Sequence, residues 1–169
     1  MQNSIPRPEC LRFSSDGRTP NSALPVLVYR QLPLQGDLAE AFETLFAAHF
    51  WPPRWRSPVY DYHHYHTGAH EALGVARGHA RLMLGGERGA EIEVRAGDAL
   101  VLPAGTGHCQ LQASADFLVV GAYPPEQDWD IQRPDERTHD AARARIAETP
   151  VPVSDPVTGT QGALVELWR

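Results

Sequence analysis

The chain has 169 residues, 42% of them hydrophobic, and a net charge of −6, which suits one domain with a core of its own. Arginine supplies every fixed cation and lysine is absent, which excludes Schiff-base chemistry and a lysine base, and the lack of a basic run argues against a nucleic-acid partner. The N-terminus has no apolar stretch of signal length and no window approaches a membrane span, so a cytoplasmic protein without a membrane partner is expected.

Residues 1–24 are polar and broken by Pro6, Pro8, Gly17 and Pro20, which suggests a loosely held N-terminal arm before a single domain over 25–169. Pro25–Arg30 is a short apolar strand. Asp37 is a fitting N-cap for a helix in which Leu38, Ala41, Phe42, Leu45 and Phe46 recur at helical spacing, and Trp51-Pro52-Pro53 stops it.

The period then changes to two. Strands are predicted at about 59–66, 70–77, 79–84, 90–95, 98–103, 107–112 and 116–123, with Leu82 and Leu84, Ile92 and Val94, and Leu100 and Leu102 facing inward. Fourteen glycines and fifteen prolines scattered as turn signals favour an antiparallel sandwich or barrel. Asp135 could cap a polar helix ending near Glu148, and the apolar end Ala163–Trp168 should be tied to the sheet or, with Val26–Val28, add to a neighbouring sheet and make a homodimer.

The chemistry is concentrated in Tyr62–Glu71, which carries four of the eight histidines. In an extended strand His64 and His66 share a face, and a turn at Thr67-Gly68 returns His70 or Glu71 to them. Imidazoles converging with a carboxylate suit one divalent transition metal such as iron, manganese, nickel or zinc. A further ligand from a distant strand is found in His108, which follows the turn Pro103-Ala104-Gly105.

These two stretches resemble the cupin family. Its first motif is written G-x5-H-x-H-x3,4-E-x6-G, and His64, His66, Glu71 and Gly78 fill it with Pro58 in place of the leading glycine. Its second is G-x5-P-x-G-x2-H-x3-N, filled by Gly97, Pro103, Gly105 and His108 with Gln112 in place of the asparagine. Tyr60–His66, Gly121–Pro124 and the Asp155-Pro156-Val157 tail look like the YjlB-like branch, which extends the likeness over most of the chain around a motif core of 55–123. The resemblance implies a mainly all-β, single-domain jelly-roll β-barrel with an N-terminal helix and a short C-terminal helix. It also implies a mononuclear metal held by His64, His66, Glu71 and His108, with two positions left for water, substrate or dioxygen.

Glu71 is preferred to His70 because it lies seven residues before Gly78 and shares parity with Leu73 and Val75, which leaves His70 as an alternative or outlying ligand. Tyr62, Gln110 and Gln112 share parity with the ligands and are candidate pocket residues, and Phe117 and Trp129 could cap the mouth. Arg77 could meet an anion or a surface carboxylate; His79 and His139 are expected in solvent, His63 at the surface or just behind the ligands, and Cys109 as a buried inert thiol. No Ser-His-Asp arrangement stands out. The expectation is a metal-dependent dioxygenase, isomerase or decarboxylase acting on a small polar molecule, against a non-catalytic barrel that binds or senses a small ligand.

Overall fold

Nine strands and three helices form among the described residues: β1 Glu9–Phe13, β2 Ser22–Tyr29, α1 Leu38–Ala48, β3 Pro53–Ser57, β4 Glu71–Arg77, β5 His79–Leu84, β6 Ala90–Arg95, β7 Ala99–Leu102, β8 His108–Ala113, β9 Leu118–Ala122, α2 His139–Glu148 and α3 Ala163–Leu167. The structure, a computed structural model, describes residues 4–169. The strands make a six-stranded sheet, ordered β1-β2-β7-β4-β9-β3, and a three-stranded sheet, β6-β5-β8, antiparallel throughout.

The two sheets face each other across a core in which Leu82, Leu84, Ile92 and Val94 meet Val28, Leu73, Val75, Leu100, Leu102 and Val119. This is the all-β jelly-roll barrel, and the three inward pairs read from the sequence lie in it. The large sheet is also buried on its outer face, where α1 (Phe42, Phe46) and the C-terminal segment (Leu164, Trp168) cover Leu27, Tyr29, Ala72, Val101 and Ala122. Burial on both faces explains why β2 reads as a continuous apolar run and not as an alternation. The helix comes close because β4 is small there: a Cβ on Gly74 would lie 2.5 Å from the Phe42 ring.

α1 starts and stops as its sequence predicts, with Asp37 Oδ1 accepting from the Glu40 amide at 3.0 Å. Other expectations are corrected. From Glu9 onward the expected arm is not loosely held: β1 pairs with β2, and Thr19 and Asn21 are buried, while residues 1–3 lie outside the described residues. Asn21 Nδ2 donates to the Ser14 and Gly85 carbonyls while its Oδ1 accepts from Gly107, which fastens the turns beside His108. No strand spans 59–66; the strand comes earlier, at β3, and the chain then bends at Asp61-Tyr62. α2 begins at His139 because Asp135 caps a turn, accepting from the Arg137 amide.

Ala163–Leu167 is a helix, so no C-terminal strand is available for sheet addition, and Val26–Val28 lies between β1 and β7 with both edges paired. The C-terminal segment is tied down as expected, with Trp168 Nε1 donating to the Pro25 carbonyl at 2.9 Å. Among the described residues no helix is long and apolar enough to cross a membrane.

Candidate metal centre

His64, His66 and His108 bring one ring nitrogen each to within 4.8 Å of one another, in a buried cluster at one end of the barrel. An isolated antiparallel bridge joins His64 to His108: the His108 amide donates to the His64 carbonyl at 2.9 Å, and the His64 amide returns a bond at 3.2 Å. Next to it Tyr65 pairs with Gln132, so the extended run keeps His64 and His66 on one side and Tyr65 buried on the other. The Gly105 amide donates to the His66 carbonyl at 2.7 Å from a backbone at φ +94°. A side chain there would press on the Asn21 carbonyl at 2.4 Å, so the glycine is needed for both motifs to meet.

Each imidazole is oriented by a backbone carbonyl. Nδ1–H of His64 donates to Tyr62, that of His108 to Thr106, both at 2.9 Å, and that of His66 to Asp130 at 2.5 Å. Spending Nδ1 in this way turns Nε2 toward the centre in all three rings. Glu71, the first residue of β4, points into the same space: Oε2 lies 3.1 Å from His66 Nε2 and Oε1 lies 3.0 Å from His108 Nε2. Oε1 is fully enclosed and makes no hydrogen bond.

The electrostatics follow. Burial, then the neighbouring His108, pushes His64 down to about 3. Burial opposes charge on His66 too, but the Glu71 carboxylate outweighs it and raises the ring above its ordinary range. Burial likewise opposes charge on Glu71, and His66 and His108 overcome it, holding the carboxyl well below its usual range. Three inward Nε2 atoms and a buried carboxylate form a donor set that fits a divalent transition metal, which would take the place of the proton His66 shares with Glu71.

A cavity of about 260 Å³ opens onto these residues, walled by Trp55, Val59, Tyr60, Leu73, Tyr123, Trp129 and Ile131. Tyr123 Oη donates to Glu71 Oε2 at 2.7 Å and accepts from Trp55 Nε1 at 2.8 Å. Burial, then the charge of Glu71, raises the phenol strongly. Asp130 accepts from the Thr67 hydroxyl and amide and from the Gly68 amide, which holds in place the carbonyl that orients His66.

Sequence reasoning missed Trp55, Tyr123 and Asp130 as contributors, since each lies more than eight residues from the histidine or carboxylate it serves and carries no local signature. It placed Trp129 at the mouth, where the structure also has it. Phe117 is instead in the barrel core. Tyr62, Gln110 and Gln112 do not line the cavity. The bend at Asp61-Tyr62 breaks the strand parity, and Tyr62 stacks on Tyr60 under the Arg133 guanidinium. Gln110 Oε1 accepts from the Val59 amide, and Gln112 faces an open groove with Arg30, Arg81 and Arg95 at the far end of the barrel.

His70 takes no part in the cluster. Its ring packs on Trp168 at 5.0 Å, and Nδ1 accepts from the Ala104 amide at 2.9 Å. Arg77 and His79 are exposed, His63 is half-buried, and Cys109 is a buried free thiol with Cys10 exposed. His139, expected in solvent, is buried: Ser15 Oγ lies 2.6 Å from its Nε2, and Asp140 Oδ1 lies 2.8 Å from its Nδ1. That line imitates a catalytic triad, but its carboxylate is 99% exposed and its serine already accepts from the Gly17 amide, so it fastens the N-terminal loop to α2.

The cupin domain pattern matches residues 51–120. Over 159 residues, 92% of this chain and 93% of the relative, the sequence is 41% identical to the uncharacterized protein YjlB of Bacillus subtilis strain 168. Among solved structures, a DUF861 family protein from Thermotoga maritima aligns at 18% identity and a TM-score of 0.36, covering 57% of this chain and 96% of that one. Acireductone dioxygenase from Bacillus anthracis, solved with a cadmium ion in its active centre, aligns at 17% identity and a TM-score of 0.35, over 66% of this chain and 56% of that one. With both motifs converging on one buried cluster and a relative this similar along nearly its whole length, the chain belongs to the cupin family.

Proposed function

We propose that the chain is a metal-dependent cupin enzyme in which His64, His66, His108 and Glu71 hold one divalent transition metal. The observation that carries this reading is the convergence of three Nε2 atoms, each freed by an Nδ1–carbonyl bond, on a buried carboxylate with one unpartnered oxygen. Iron, manganese, nickel or zinc suits the set of three nitrogens and one oxygen. When bound, such a metal supplies Lewis acidity, or a site for dioxygen, next to the cavity.

The chain's own residues do the rest. Tyr62, Thr106 and Asp130 orient the rings, Glu71 supplies the balancing charge, and the aromatic walls exclude water from the centre. Tyr60, half-exposed at the cavity, is the ionisable group outside the ligand set that is free to move a proton. A dioxygenase, isomerase or decarboxylase reaction is consistent with this arrangement. The mostly apolar lining favours a second reading, a barrel that binds a small ligand without turnover.

Elemental analysis of untagged protein, wild type beside His66→Ala, tests the centre. About one equivalent of metal in the wild type, lost in the variant, is expected. A metal-free wild type that cannot be reloaded would leave the ligand-binding reading in its place.

A further inference from the structure

We propose that the cavity receives a small flat molecule of the phenol or enol class, bringing one anionic oxygen to the centre and no second charge. This rests on the metal reading above and names what that centre would meet.

Charge sets the first limit. Glu71 is the only carboxylate of the described lining, and no arginine belongs to it. The nearby guanidinium groups lie over aromatic rings and outside the lining: Arg54 is 5.6 Å from the centroid of the Trp129 ring and Arg133 is 3.9 Å from that of Tyr62. A divalent cation beside the Glu71 carboxylate leaves one positive charge, which one anionic oxygen neutralises. A guest with a second carboxylate or a phosphate would carry charge out of water to a wall with nothing to pair it.

Shape sets the second. Trp55, Tyr60, Tyr123 and Trp129 give flat walls, and Tyr123 and Trp129 lie parallel, 8° apart at 4.5 Å. Rigid aromatic faces suit a flat guest through offset stacking and edge contacts. Trp129 and Ile131 remain 39% and 46% exposed although both are bulky and apolar, and a guest in the cavity would cover them. The volume of about 260 Å³ falls below the range of drug-sized pockets, which limits the guest to about one ring. The small polar molecule expected from the sequence is thereby narrowed to one that carries a single anionic charge.

The test uses protein loaded with zinc, which has no redox chemistry, titrated by calorimetry with para-nitrophenol and, separately, with malonate and inorganic phosphate. One para-nitrophenol per chain is expected, bound about ten-fold or more tighter than either doubly charged probe. Trp129→Ala should weaken para-nitrophenol about five-fold while zinc content stays unchanged, which separates the wall from the centre. Malonate or phosphate binding as tightly as the phenol, or an unchanged phenol affinity in Trp129→Ala, overturns the choice of guest and leaves the metal centre standing. Failure to retain any of zinc, iron, manganese and nickel overturns the metal reading itself, and this proposal with it.

Discussion

Tyr123 Oη lies 2.7 Å from Glu71 Oε2, and the bond can run in one direction only. The Trp55 indole N–H, 2.8 Å from the same hydroxyl, is a donor without lone pairs, so the phenol must spend its proton on Glu71. The sheet makes the pairing. β4 and β9 are antiparallel neighbours with Ala72 opposite Ala122, which sets Glu71 beside Tyr123. One carboxylate oxygen is thereby occupied and the other left facing the histidines.

Tyr123→Phe should therefore weaken metal binding without removing it, by about 10- to 100-fold, as loss of an outer hydrogen bond to a ligand does. The unpaired Trp55 N–H should also cost about 1–2 kcal/mol of stability. Chelator competition reads the first effect and urea unfolding the second. Unchanged metal affinity would show that the phenol does not position Glu71.

Metal should stabilise the fold. At about 100 times its dissociation constant a ligand of the native state adds about 2.7 kcal/mol, which for a chain of this size is about 5–10 °C in Tm. Scanning calorimetry with added zinc or manganese, and again after chelation, should show that difference in the wild type and not in His108→Ala. A thermal shift that survives in His108→Ala would place the binding elsewhere.

Asp155 anchors the C-terminal segment. Fully buried, it accepts from Tyr29 Oη at 2.6 Å and from the amides of Val157, Thr158 and Leu164. Asp155→Ala leaves three amides without a partner and the Tyr29 hydroxyl with only the Thr158 hydroxyl at 3.4 Å, and a loss of about 3–5 kcal/mol is expected, with Asp155→Asn falling between. Urea midpoints at constant m-value check it; a loss under about 1 kcal/mol would mean that other contacts hold the segment.

The same pair gives a pH dependence at the alkaline end. Burial, then the Asp155 charge, raises the Tyr29 phenol above its ordinary value. A group raised on folding lends stability that is complete below the unfolded value, about 10, and is lost as pH rises beyond it. Tyr29→Phe should be less stable than wild type at neutral pH and lose less on passing above about pH 10. Parallel curves for the two proteins would contradict this.

Gly74 marks the closest approach of α1 to the sheet, and Gly74→Ala should cost about 1–3 kcal/mol because the new methyl meets the Phe42 ring. Adding Phe42→Leu to Gly74→Ala should recover part of the loss. Additive losses in the double variant would show that the two side chains do not compete for that space.

The gathering of His64, His66 and Glu71 was legible in the chain because their spacing is local. His64 and His66 are two residues apart on an extended backbone, and a turn returns Glu71 to them. The inward position of Glu71 rather than His70 was readable from the parity of Leu73 and Val75, which lie in the barrel core while Ala72 lies on the helix side. The same rule failed for Tyr62, because the bend at Asp61-Tyr62 lies between it and the ligands, and a parity does not survive a bend. It failed for Gln110 because that side chain is spent on the Val59 amide, and for Gln112 because the register of β8 against β5 shifts between Gln110 and Gln112, which puts Gln112 opposite Arg81 in solvent.

What the amino-acid order determined by itself was the barrel class, the inward Leu82, Leu84, Ile92 and Val94, the cap at Asp37, and which four side chains could gather as ligands. Each depends on period or spacing within a few residues. Only the tertiary structure decided that Asp130 would hold the carbonyl behind His66, that Trp55 and Tyr123 would commit one oxygen of Glu71, and that Asn21 would brace the His108 turn. It also decided the two-sided burial of the large sheet under Phe42 and Trp168. Those contacts join residues tens of positions apart through single hydrogen bonds and packed rings, and such pairings exist only once the sheets have set their register.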